Sequence, residues 1–168
     1  VIEEVCRKAS ELGVVTPANY NTPAQIVIGG EVAAVDRAVE LLQEAGAKRL
    51  IPLKVSGPFH TALLESASQK LAETLAQVSF SDFTCPLVGN TEAAVMQKGD
   101  IAQLLTRQVK EPVRFYESMA VMQEAGVTNF IEIGPGKVLS GFVKKTDKTV
   151  KLATVEDQAS LGTLLENK

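Results

Sequence analysis

The sequence has no tryptophan, one histidine and two cysteines, and it opens on valine rather than methionine. Each scarcity narrows the function. A structural zinc site needs about four ligands, and His60 with the scattered Cys6 and Cys85 supplies too few for a Cys/His centre, so no metal is expected. The two cysteines form no Cys-x-x-Cys pair, which reads as reduced, buried thiols in a cytosolic protein. No apolar run approaches the roughly 20 residues that cross a bilayer; the longest resemble Gln25-Ile26-Val27-Ile28-Gly29-Gly30. No basic segment followed by an apolar stretch marks a secretory signal. No membrane partner and a cytoplasmic location are therefore expected. Positive charge is not in excess either: 17 Lys and Arg against 20 Asp and Glu leave a net charge of −3, which gives no drive toward nucleic acid. The densest basic spot, Lys144-Lys145 with Lys148 and Lys151, reads as a solvated helix end.

What is present suits a globular protein. Of 168 residues, 45% are hydrophobic and 22% charged, enough for one ordinary domain or two small ones. Ile2, Val5, Cys6, Ala9 and Leu12 follow helical spacing from the first residue. A chain that starts inside an amphipathic helix is expected to be missing its beginning. Gly13 ends that helix. Strands follow from Val14 and over Gln25–Gly29, with turn chemistry at Asn21-Thr22-Pro23, so a hairpin is predicted. A helix over 31–45 carries the stripe Val32, Val35, Val39 and Leu42, with Gly46 at its C-terminal cap. A strand is predicted over Lys48–Val55, Pro52 being tolerable near an edge. The order α-β-β-α-β matches a ferredoxin-like unit whose first strand is absent, and residues 1–55 alone are expected to pack poorly.

From residue 56 the pattern changes. A helix is predicted over 61–77 with Leu64, Ala67, Leu71, Leu75 and Val78 on one face, and a strand over Thr84–Val88. Asp100 is placed to cap a helix reaching Val109, with Gln103 as capping-box partner. A helix over 114–125 stops at Gly126. A strand over Asn129–Ile133 runs into Gly134-Pro135-Gly136 and a helix from Lys137. A last strand spans Lys151–Val155, and a short helix runs to the end. Strands alternating with helices predict a parallel or mixed sheet covered on both faces.

Two loop-to-helix junctions carry the chemical interest. Gly134-Pro135-Gly136-Lys137 is not a phosphate loop, because Val138 stands where Ser or Thr is required, and it does not fit G-x-G-x-x-G. It is either a tight structural turn or a turn lining a site at a strand C-terminus. His60 follows Ser56-Gly57-Pro58-Phe59 and precedes a helix. Histidine is the residue type suited to general base catalysis near neutral pH, although a loop histidine also serves structural roles. The chain offers it no obvious nucleophile. There is no G-x-S-x-G elbow; Ser140 lies in Val138-Leu139-Ser140-Gly141, expected to be helical, and Cys85 is expected in an apolar strand, where a thiol is inert.

Four segments, in order and at matching spacing, carry a resemblance: Asn19-Tyr20-Asn21-Thr22-Pro23 with Gln25 to Gly30; Val55-Ser56-Gly57-Pro58-Phe59-His60-Thr61; Arg107-Gln108 with Pro112-Val113; and Glu132-Ile133-Gly134-Pro135-Gly136-Lys137-Val138-Leu139. With these, the chain resembles the malonyl-CoA:acyl-carrier-protein transacylases of fatty-acid synthesis over essentially its whole length. The resemblance implies an α/β fold in which residues 1–55 are most of a ferredoxin-like small subdomain, lacking its first strand, and residues 56–168 are the C-terminal part of a large α/β-hydrolase-like acyltransferase domain. It implies transfer of malonyl from malonyl-CoA to the pantetheine thiol of acyl carrier protein through a malonyl-serine. No cofactor is implied, since malonyl-CoA and phosphopantetheine are substrates, and acyl carrier protein is the expected partner.

By the same resemblance His60 is the base, and the backbone carbonyl of Gln108 orients it as a carboxylate does in a hydrolase triad. Phe59 stands where a bulky ring favours malonyl over methylmalonyl. Asn19 and Asn21 face the active-site gorge. Ordinary turn chemistry remains the alternative for the two asparagines, and a plain helix-face residue for Gln108. The family's nucleophilic serine, its oxyanion-hole loop and its malonate-binding arginine have no counterpart here; Arg114 is not at the matching position. The chain alone is expected to be inactive. A non-catalytic module that docks the carrier protein and an acyltransferase domain of a polyketide synthase are the alternative readings.

Overall fold

A computed structural model describes residues 1–166. Helix α1, Ile2–Ala9, carries Glu3 and Glu4 in its first turn and Arg7 and Lys8 in its last, charges that complement the helix dipole. A short 3-10 turn over Ser10–Leu12 extends it to Gly13, whose φ of 134° suits glycine. Strands β1, Val15–Thr22, and β2, Gln25–Gly30, form the predicted antiparallel hairpin, with Thr22 paired to Gln25 across a two-residue connection. At its open end Glu31 N–H donates to the Val14 carbonyl at 2.7 Å and Val14 N–H to the Glu31 carboxylate at 2.6 Å. Gly30 must be glycine there, since a Cβ would lie 2.0 Å from the Val14 carbonyl oxygen.

Helix α2, Val32–Glu44, follows. It buries Ala34, Ala38 and Leu42; of the expected stripe only Leu42 is buried, while Val32 points outward at 78% exposure and Val35 and Val39 are half-buried. The small alanines let α2 approach α1 closely, and together with Val5, Cys6, Ala9, Val15 and Leu42 they make the larger of two buried clusters among the described residues. A hairpin and two helices close a core of their own, in which one fully buried leucine is worth about 1.5–3 kcal/mol. The other side of β1 is covered by α5, Phe115–Glu124, and α6, Val138–Thr146. These two helices meet through an edge-to-face pair, Phe115 and Phe142, at 5.9 Å.

The strand expected over 48–55 does not form. These residues take no regular secondary structure and have no partner strand among the described residues, and Ile51, Leu53 and Val55 are exposed. Apolar residues alone do not make a strand; the ladder needs a neighbour. Likewise only Val88–Gly89, strand β3, remains of the strand expected over 84–88, paired with β4, Ala94–Val95. Cys85 therefore lies exposed outside any strand, whereas Cys6 is buried as expected and burial pushes its thiol up to about 11.

Helix α3, Glu65–Leu75, is preceded by a 3-10 turn over Ala62–Leu64. It turns Ser68 inward, while Ala67 and Val78 of the expected face are exposed. Helix α4, Ile101–Gln108, packs against α3 and forms a second, smaller buried cluster of Ile101 and Leu104 with Met96. Asp100 is its N-cap residue, as expected, but makes no side-chain cap bond. Strands β5, Asn129–Ile133, and β6, Lys151–Val155, pair in parallel, within the predicted bounds. Helix α7, Gln158–Glu166, closes the described chain. The expected cover on both faces of this sheet is incomplete: Ile131 and Ile133 are 50% and 81% exposed. No helix among the described residues is long and apolar enough to cross a membrane.

Candidate active site

His60 has a backbone conformation rare for a side-chain-bearing residue, with φ of 61°. The segment Gly57-Pro58-Phe59 leads into it, and Thr61 returns to an extended conformation before the 3-10 turn. In this left-handed turn the backbone and the ring of His60 both face the C-terminal end of α4. The His60 N–H donates to the Val109 carbonyl at 3.1 Å, and Nδ1 lies 2.8 Å from the Gln108 carbonyl oxygen. A carbonyl can only accept, so Nδ1 carries a proton, and in the neutral ring Nε2 is then the nitrogen with the lone pair. Nε2 meets no hydrogen-bond partner among the described residues. The ring is thus held by one nitrogen and open at the other, the disposition a general base requires.

The carbonyl that holds the ring is itself well fixed. The last turn of a helix leaves carbonyls without intrahelical partners, and at the end of α4 those of Thr106, Arg107 and Gln108 each find one. The Thr106 carbonyl accepts from the buried Ser68 hydroxyl at 2.7 Å, and the Arg107 carbonyl accepts from Lys110 and Glu111 N–H groups. The Arg107 guanidinium grips Glu111 through Nε and Nη2, both at 2.9 Å, and reaches Glu92 through Nη1. Lys110 pairs with Glu65 at the start of α3, and this pairing lowers the Glu65 carboxyl below its ordinary range. Ser68, Arg107 and Lys110 were not legible as site residues. The spacing of Arg107 and Glu111 is the one sequence signal for such a clamp.

The remaining expected residues are distributed as follows. Phe59 adjoins His60 and is 55% exposed. Asn19 and Asn21 lie within strand β1 rather than in a turn, both half-buried. The edge of β1 is stitched to the segment after α4: Tyr20 N–H donates to the Val113 carbonyl at 2.8 Å, and Val113 N–H to the Ala18 carbonyl at 2.9 Å. The strand of the asparagines and the carbonyl that orients His60 therefore share one anchoring segment. No hydrogen bond among the described residues links either asparagine directly to His60.

At the second junction the polar groups of the turn are taken up locally. Glu132 on β5 reaches over the turn and accepts from the N–H groups of Leu139 at 3.0 Å and Ser140 at 2.7 Å. Hydrogen bonds from Ser140, then from the Leu139 and Val138 backbone, hold the Glu132 carboxyl below its ordinary range. Gly134 N–H goes to the Val155 carbonyl and Gly136 N–H to the Glu156 carboxylate. The N-terminus of α6 is occupied by the chain's own carboxylate, and Ser140 is spent on Glu132.

Comparison with known proteins shows the family. The model of the acyl transferase domain family matches residues 2–168. A malonyl CoA-acyl carrier protein transacylase of Bacillus subtilis (strain 168) is 47% identical over 162 residues, which cover 95% of this chain and 51% of that protein. The crystal structure of MCAT from Streptococcus pneumoniae superposes with a TM-score of 0.98 at 88% identity, over all of this chain and 55% of that one. A malonyl-transacylase solved in complex with a type II PKS acyl-carrier protein gives a TM-score of 0.94 at 42% identity, covering 99% of this chain and 54% of that one. The chain thus spans about half the length of the relatives it matches.

Proposed function

The chain belongs to the acyl transferase domain family, and from that premise we propose that it carries the base-bearing portion of a malonyl-CoA:acyl-carrier-protein transacylase. The observation that carries this reading is the pairing of His60 Nδ1 with the Gln108 carbonyl at 2.8 Å, which leaves Nε2 open. In the proposed reaction a serine from outside this sequence attacks the malonyl thioester carbonyl while His60 Nε2 accepts the hydroxyl proton. The tetrahedral intermediate collapses, and the imidazolium returns that proton to the departing CoA thiolate. The second half runs in reverse. Nε2 takes the pantetheine thiol proton of acyl carrier protein, the thiolate attacks the malonyl ester, and the serine leaves with the proton. The Gln108 carbonyl keeps the ring in the required tautomer throughout, the orienting role of a carboxylate in a hydrolase triad but without its full charge. Phe59 limits bulk at the malonyl α-carbon, and Asn19 and Asn21 line the approach.

We assign residues 1–55 to most of a ferredoxin-like subdomain and residues 56–168 to the C-terminal part of the large α/β-hydrolase-like domain. The α-β-β-α order of the first segment and the parallel β5–β6 pair of the second support this division. The exposed apolar residues of 51–55 and of β5 are then the faces that the rest of the domain covers. The reaction is assigned to the cytoplasm. Incubating this chain alone with radiolabelled malonyl-CoA and holo acyl carrier protein tests the division of labour. No transfer is expected. Label on the carrier protein, or a malonyl adduct on this chain, would refute the assignment of the nucleophile elsewhere. Carrier proteins of the fatty-acid and type II polyketide classes, compared as acceptors in an intact enzyme, separate the two pathway readings.

A further inference from the structure

Thr61, the residue after His60, is completely buried. Its hydroxyl donates to the Pro58 carbonyl at 2.7 Å, closing the loop in which His60 sits. Its methyl group faces strand β2. A Cβ placed on Gly29 would lie 3.3 Å from Thr61 Cγ2 and 3.6 Å from Ala18 Cβ. Gly29 does not have the left-handed φ of a turn glycine, so its backbone does not demand glycine. The space its missing side chain leaves is the space the Thr61 methyl uses. His60 is held in an uncommon backbone conformation by bonds of 3.1 Å and 2.8 Å to two successive carbonyls, and a displacement of a few tenths of an ångström at its neighbour degrades both.

We propose that Thr61 is a positioning residue for His60, and that Gly29 of the hairpin is small in order to admit it, so that strand β2 sets the aim of the base. The inference rests on the reading of His60 as that base. In this arrangement the hydroxyl of Thr61 fixes the turn and its methyl registers the turn against the hairpin. Close-packed interiors transmit such displacements, because no void takes up the added volume.

One histidine in the chain makes the test direct. With ¹⁵N-labelled histidine, long-range proton–nitrogen spectra of this chain, recorded above the ring's titration, report which ring nitrogen carries the proton. The unaltered chain is expected to give a protonated Nδ1 and a bare Nε2. Gly29→Ala should shift both nitrogen signals toward an average of the two tautomers. Adding Thr61→Ser to Gly29→Ala should restore the original signals, because serine keeps the hydroxyl and yields the methyl's space. Thr61→Val, which keeps the branch and loses the hydroxyl, should disturb the ring where Thr61→Ser alone does not. Unchanged ring signals in folded Gly29→Ala, or a double variant no closer to the original than Gly29→Ala, would overturn the proposal. Should Gly29→Ala not fold, identical ring signals in Thr61→Val and Thr61→Ser overturn it instead. These readouts need no activity. A ring indifferent to Gly29 and Thr61 removes this proposal and leaves the base intact, whereas undiminished transfer by His60→Ala in an intact transacylase removes the base itself.

Discussion

Two junctions of this molecule look alike in sequence and are built in opposite ways. Both are glycine- and proline-containing loops that deliver the chain into a helix, one at Gly57–His60 and one at Gly134–Lys137. At the second, the polar groups are consumed locally: Glu132 and Glu156 take the backbone N–H groups of the turn and of the first turn of α6. At the first, the helix terminus that matters belongs to another element. His60 caps the carbonyl end of α4 through its backbone and through Nδ1, and still presents a free acceptor. A junction that satisfies itself is scaffold. One that satisfies a neighbour and keeps one polar atom in reserve can do chemistry.

The comparison breaks most sharply at His60. In an intact transacylase containing this segment, His60→Ala is expected to lower kcat/KM per folded molecule by several orders of magnitude, as loss of a general base does. A loss below tenfold would place the chemistry elsewhere. Glu132→Gln should do the reverse, leaving transfer per folded molecule unchanged while lowering the unfolding midpoint, because an amide is a weaker acceptor for the N–H groups of α6 than a carboxylate. Lost transfer in a fully folded Glu132→Gln protein would show that the second junction also serves the site.

Acid sharpens the same contrast with a smaller effect. The Glu132 carboxyl titrates below its ordinary value of 4.5, by hydrogen bonds from Ser140 and its neighbours, and Asp157 below 3.8, by hydrogen bonds from Ser160. A carboxyl depressed in the folded state adds stability that is fully present above its ordinary value and fades as pH falls through the folded one. The unfolding midpoint of the chain should therefore decline as pH drops below about 4.5, and decline less steeply in Glu132→Gln. Equal slopes would mean that Glu132 holds nothing in place.

Local patterns were the legible part of this molecule. The hairpin, β5, β6 and α5 follow from alternation, turn residues and terminal glycines, each of which acts over a few neighbours. The strand expected at 48–55 was illegible for a physical reason: a strand exists only with its partner, and no described segment pairs with it. The inward face of α2 was misread because alanine, weak as a hydrophobic signal, is what close helix packing selects; Ala34 and Ala38 are fully buried while Val32 is not. At the site, His60 and Gln108 came from motif resemblance. Nothing in their separation of 48 residues foretells a bond between a ring nitrogen and a backbone carbonyl. The burial of Thr61 and Ser68 left no mark, since a hydroxyl that satisfies itself inside looks in sequence like one that faces water.

The smallest expected effect tests the most specific part of the reading. If the group that orients His60 is the Gln108 carbonyl, then the Gln108 side chain is incidental to the base. Gln108→Ala keeps the carbonyl, and alanine favours the helix that ends there. Transfer should then change by only about twofold, the scale of a half-kilocalorie substitution, and the nitrogen signals of the His60 ring should not move. The end of α4 that carries this carbonyl has four supports independent of that side chain: the Ser68 hydroxyl on the Thr106 carbonyl, the Arg107–Glu111 pair, the Lys110–Glu65 pair and the His60 N–H on the Val109 carbonyl. A large loss of transfer with an unmoved ring would mean that the Gln108 amide meets substrate. A loss with a moved ring would mean that these supports do not hold the end of α4 by themselves. Near-invariance is the outcome that assigns the orienting role to the backbone, where a substitution cannot reach it.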